Sequence, residues 1–81
     1  MADDDHQIKK QLDATGLTCP EPVMLLHKVM RELAKGECVE VIATDPSTQR
    51  DIPKFCQFLQ HGLLRQEVVQ DKFIFLLRKG G

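Results

Sequence analysis

The chain has 81 residues, with 11 basic and 12 acidic side chains and a formal net charge of −1. That length allows one domain, which buries roughly two-thirds of its unfolded surface and has little room for an enclosed cavity. The balanced charge excludes the basic excess of a strong nucleic-acid binder, and no apolar run approaches the roughly 20 residues of a membrane span.

The chain opens on polar and charged residues, among them Asp3, Asp4 and Asp5, with no apolar stretch of a secretory leader. Residues 1–10 are expected to be a flexible acidic tail, and residues 11–81 a single domain in the cytoplasm. Gln11 to Ala14 reads as a short strand, and Gly16 permits the turn after it. Val23, Leu26, Met30 and Leu33 then recur at helical spacing, widened by Val29 and Ala34. This first helix is expected to span roughly 14–16 residues, or about 20–25 Å. Gly36 is its expected terminal glycine, and Lys35 suits the negative end of its dipole.

Val39 to Thr44 reads as a strand broken by Asp45-Pro46. A second helix starts between Ser47 and Asp51, with Asp51 as a plausible cap that puts Pro53 in the first turn. Ile52, Phe55, Cys56 and Leu59 form its buried stripe, and Gly62 ends it. Leu63 to Val69 and Lys72 to Arg78 read as strands of a hairpin turning near Gln70-Asp71. The order β-α-β-α-β-β predicts a two-layer α/β sandwich, with both helices on one face of a four-stranded mixed sheet.

The candidate functional residue is Cys19, in the run Thr18-Cys19-Pro20-Glu21-Pro22 at the start of the first helix. A helix N-terminus carries positive partial charge and unpaired N–H groups, which favour the nucleophilic thiolate. Thr18 with Glu21 fits a capping box, but that choice places Pro22 where its N–H is needed. With Cys19 at or beside the cap, neither Pro20 nor Pro22 removes an intrahelical bond. The prolines also stiffen the loop around the sulfur. Glu21 reads as a carboxylate that complements the dipole rather than as a catalytic base.

Cys38 and Cys56 are far from Cys19 in sequence, and the chain has no Cys-x-x-Cys and no His-Cys spacing that suits a metal. In a reducing compartment all three are expected to be free thiols. Cys56 lies in the helix stripe, and Cys38 is expected at the far end of the first helix. A lone thiol suits a carrier, because a neighbouring thiol would discharge a persulfide as sulfide. His27, Lys28, Arg31 and Arg50 read as a solvated face or as a dock for an acidic partner. Asp45 reads as a turn residue that could also meet the partner, and Phe58 as an exposed contact if it falls outside the stripe. Two other function classes fit less well. A thiol redox enzyme needs a resolving cysteine, and an RNA-binding module needs basic charge and aromatic residues. Gly80-Gly81 resembles the end of ubiquitin-like sulfur carriers, but a flexible tail is the simpler reading, since such chains open with a hairpin.

Leu12-Asp13-Ala14-x-Gly16-Leu17-x-Cys19-Pro20-x-Pro22 resembles the signature of the TusA (SirA-like) sulfur carrier family. Asp45-Pro46, Asp51-Ile52-Pro53-x-Phe55-Cys56 and the closing Arg78-Lys79-Gly80-Gly81 are similar to its later blocks. The resemblance implies a fold like the C-terminal domain of translation initiation factor three. It implies that Cys19 accepts a persulfide sulfur from a cysteine desulfurase and passes it to a TusBCD-type relay, ending in 2-thiolation of tRNA wobble uridine. Related proteins serve molybdenum cofactor assembly or sulfur oxidation. The implied role is stoichiometric, not enzymatic. The chain itself would need no metal or cofactor, pyridoxal phosphate belonging to the desulfurase. A monomer is expected, without stable nucleic-acid or membrane binding.

Overall fold

A computed structural model describes residues 8–80. Six elements follow in the predicted order: β1 (Ile8–Ala14), α1 (Glu21–Glu32), β2 (Cys38–Ala43), α2 (Thr48–Leu59), β3 (Gly62–Val69) and β4 (Lys72–Arg78). The sheet order is β1-β2-β4-β3, with β1 and β2 parallel and the other two pairings antiparallel. The sheet is therefore mixed, and both helices cover one of its faces.

Alternation along the strands decides which side chains meet the helices. Val39, Val41 and Ala43 of β2 are fully buried, in register with Leu77, Phe75 and Phe73 of β4. Leu26 and Met30 from α1, and Ile52, Phe55 and Cys56 from α2, complete this core. Each large side chain buried there contributes about 1.5–3 kcal/mol relative to exposure. Cys38 belongs to the opposite sheet face and is buried between Ile8 and Arg78 in the strand register.

Strand β1 starts at Ile8, three residues before the expected start at Gln11. Polar composition hid this, because β1 is an edge strand: Lys9 and Gln11 are exposed, and Lys10 pairs with Glu32 of α1 at 3.2 Å. The rest of the expected tail lies outside the described residues.

Helix α1 is shorter than expected, 12 residues and thus about 18 Å. It ends at Leu33, whose extended backbone breaks the spiral. Gly36 (φ 93°) instead makes the later turn toward β2. The Lys79 ammonium, arriving from the end of β4, donates to the Met30 and Leu33 carbonyls. It takes the capping role assigned to Lys35.

Helix α2 begins at Thr48, so Asp51 is its fourth residue and Pro53 lies inside it. Pro53 has no N–H for the Gln49 carbonyl, and that carbonyl accepts from the Gln66 side chain of β3 at 3.5 Å. The left-handed residue after α2 is Gln60 (φ 60°), while Gly62 already belongs to β3.

Candidate functional site at the start of the first helix

Cys19 lies in the β1–α1 connection, two residues before the first helical residue. Pro20, not Cys19, occupies the cap position: its carbonyl accepts from Met24 N–H at 3.1 Å, with no side-chain cap bond. The Thr18–Glu21 capping box is therefore absent. Pro22 sits at the second helical position, so neither proline removes an intrahelical bond. That argument from the backbone holds with the helix start moved one residue. The Cys19–Pro20 peptide is cis.

Asp45, in the β2–α2 connection at the same end of the sheet, and Asp51 of α2 fasten this loop. Asp45 Oδ2 accepts the Cys19 backbone N–H at 2.7 Å and the Ser47 hydroxyl at 2.9 Å. Its Oδ1 accepts the Ser47 N–H at 3.1 Å, an Asx turn that starts α2. These bonds, led by the Ser47 N–H, hold the Asp45 carboxyl below its ordinary range. The Cys19 Sγ–H in turn donates to Asp51 Oδ2 at 3.3 Å.

The electrostatics of the sulfur differ from the expectation. A helix N-terminus was expected to favour the thiolate. Here the hydrogen bond to Asp51, desolvation by the neighbouring atoms, and the charges of Asp51 and Asp45 push the thiol above its ordinary value. Ser47 acts in the opposite direction. Two carboxylates close to the sulfur outweigh a dipole end about one turn away. These contacts favour the thiol over the thiolate at Cys19.

Cys19 is exposed, whereas Cys38 and Cys56 are buried, and no disulfide joins them. Burial raises the Cys56 thiol to about 11 and also raises Cys38, partly offset by Arg78. Among the described residues no cluster of His, Cys, Asp and Glu could hold a metal ion, and no helix is long and apolar enough to cross a membrane.

Beside the thiol a groove of about 250 Å³ runs between the helices, lined by Val23, His27, Asp51, Lys54, Phe55, Phe58 and Leu59. It meets a second hollow through His27, Phe55 and Leu59, which adds Arg31, His61 and Lys79. The His27 ring stands edge-on to Phe55, with centroids 4.7 Å apart. Phe58 is 87% exposed, so it does fall outside the stripe. Of the predicted contacts, the groove gathers His27 and Phe58, and the adjoining hollow adds Arg31. Arg50 lies beside it on Asp51, and Lys28 is exposed but lines neither hollow. Glu21 lines a separate hollow with Leu17, Met24 and Leu25.

Sequence reading missed the contact of Asp51 with the sulfur and the docking of Gly80. Asp51 looks like a cap until α2 is placed, and no spacing rule links residues 32 apart. Gly80 is no flexible end: its N–H donates to His61 Nδ1 at 2.9 Å, and a Cβ there would run into the Gln60 carbonyl. Gly81 lies outside the described residues.

The family model described as "Sulfurtransferase TusA" matches residues 10–79. A protein of Pseudomonas entomophila called "Sulfur carrier protein TusA" is 63% identical over 68 residues, 84% of this chain and 85% of its own length. One of the same name from Pseudomonas aeruginosa is 55% identical over 74 residues, covering 91% of this chain and 94% of its own. The crystal structure of a SirA-like protein from Desulfitobacterium hafniense superposes with a TM-score of 0.77 at 22% identity. It covers 89% of this chain and 99% of that one, a likeness of fold.

Proposed function

Since the chain belongs to the TusA family, we propose that it is a persulfide sulfur carrier, loaded at Cys19 by a cysteine desulfurase in the cytoplasm. The observation that carries this reading is the segregation of the thiols: Cys19 is exposed on a connecting loop while Cys38 and Cys56 are buried. A nucleophile must be reachable, and a bound persulfide survives only where no second thiol can attack it.

The transfer keeps atoms and electrons in balance. The Cys19 sulfur attacks the outer sulfur of the donor's R–S–SH, and the donor's S–S bond breaks. The donor leaves as a thiolate that regains a proton, and Cys19 carries S–SH. Passing the sulfur onward repeats the exchange with Cys19 as the donor. Docking supplies most of the rate by bringing the two sulfurs together. The groove with Phe58, His27 and Lys54, and Arg31 in the adjoining hollow, offer an apolar and basic surface for that contact. The recipient is a TusBCD-type relay, and the final product is 2-thiouridine in tRNA. The carrier turns over no substrate of its own.

Incubation with a cysteine desulfurase, pyridoxal phosphate and radiolabelled cysteine tests the reading. Intact mass should rise by one sulfur atom, with label on the Cys19 peptide, and Cys19→Ser should take up none. Label retained by Cys19→Ser rejects the assignment.

A further inference from the structure

We propose that Asp51 is the proton acceptor for sulfur transfer, one that orients the Cys19 S–H and receives its proton as the sulfur attacks. The proposal rests on the reading of Cys19 as the carrier and goes beyond it by naming the group that controls the thiol. Three observations support it. The sulfur and Asp51 Oδ2 are 3.3 Å apart, a hydrogen bond between a loop and a helix 32 residues away. The carboxylate is held on its far side: Arg50 Nε donates to the other oxygen, Oδ1, at 3.1 Å, and the Asp51 backbone is anchored in the first turn of α2. Asp51 also lines the groove between the helices, so the bonded sulfur sits at the groove's edge.

These contacts divide the carboxylate. Oδ1 faces a guanidinium and Oδ2 faces the thiol, which leaves Oδ2 as the acceptor for one proton. The charged groups around it are Asp45 in the loop before α2, Arg50 and Lys54 on α2, and His27 on α1. Asp45 has a different task, since its Oδ2 is occupied by the Cys19 backbone N–H and the Ser47 hydroxyl. Asp45 places the loop, and Asp51 places the reacting atom.

In the transfer, the S–H proton passes to Asp51 Oδ2 while the Cys19 sulfur forms a bond to the outer sulfur of R–S–SH. The donor's S–S bond breaks with its electron pair going to R–S⁻. Asp51 then returns the proton to that thiolate, giving R–SH and Cys19–S–SH. No oxidant or reductant is consumed. Between transfers the same carboxylate opposes ionisation of Cys19, so the free carrier is a poor target for stray electrophiles.

Asp51→Asn separates the two effects. Alkylation of Cys19 by iodoacetamide, followed across pH by mass spectrometry, should shift to lower pH and run roughly threefold or more faster at pH 7. Sulfur uptake from glutathione persulfide, a donor with no docking surface, should slow roughly tenfold or more at the same pH. Asp51→Glu keeps the carboxylate and should recover part of the uptake. A purely structural role would not speed one reaction and slow the other. An unchanged alkylation profile in Asp51→Asn, or uptake as fast as in the parent chain, overturns the proposal. Failure of the parent chain to load Cys19 at all would instead overturn the carrier reading.

Discussion

The backbone N–H of Gly80 donates to Nδ1 of His61, fastening the end of the chain to the turn after α2. The bond requires an unprotonated Nδ1, and burial, with Lys79 and His27 nearby, lowers the His61 pKa from 6.5. The unfolded chain therefore binds a proton at His61 before the folded one does. Stability from this contact is complete above pH 6.5 and is lost as pH falls through the lower folded value. The Gly80 amide resonance should move as His61 titrates, and its hydrogen exchange should speed up on acidification. A Gly80 amide indifferent to pH between 7 and 5 would refute the coupling. Gly80→Ala should release the segment even at neutral pH, because its Cβ has no space beside Gln60.

Lys79 closes α1 from a different element. Its ammonium donates to the Leu33 carbonyl and joins the Leu33 N–H at the Met30 carbonyl. Lys79→Met keeps the stem and removes the charge, and should cost about 1–2 kcal/mol. In a domain of this size that lowers the melting temperature by roughly 4–8 °C per kcal/mol. Lys35→Met, on the exposed turn after α1, should change it far less. Calorimetry of the two variants checks the contrast.

Pro53 interrupts α2, and the Gln66 amide reaches the Gln49 carbonyl only at 3.5 Å. Pro53→Ala restores a helical donor at the cost of a freer unfolded chain, and should stabilise by about 1–2 kcal/mol. Urea unfolding measures this. A lower midpoint would mean that the ring of Pro53 contributes more by packing than it costs the helix.

The three thiols should react in order of access. In the folded chain a neutral alkylating reagent at pH 8 should modify Cys19 alone. Cys56, pushed up to about 11 by burial, and Cys38 should react only after denaturant is added. Simultaneous modification of Cys56 in the native state would contradict the core described above.

The fold was largely legible because its main signals are periodic. The α1 and α2 stripes and the alternation of β2 specify faces, and faces specify the two layers. Where the reading slipped, a local preference met a partner distant in sequence. Gly36 looked like a helix terminator, but Leu33 and Lys79 end α1. Asp51 looked like a cap, but Asp45 and Ser47 start α2 and free Asp51 to meet the sulfur. Ile8 to Lys10 looked like tail because an edge strand needs no apolar alternation on its outer side. The exposed position of Cys19 on a loop before a helix was legible from its prolines. Its acidity was not, since that depends on two carboxylates that only the folded chain brings to it.

The burial of Cys38 and Cys56 also restricts what oxidation can do to this molecule. Cys19 is the one exposed thiol among the described residues, so mild oxidants should lead to mixed disulfides or to a covalent pair of chains joined sulfur to sulfur. On the proposed loading at Cys19, each chain would bear one cargo atom at a time. Flux through a pathway so served would then depend on how many copies are present and how quickly each one is emptied.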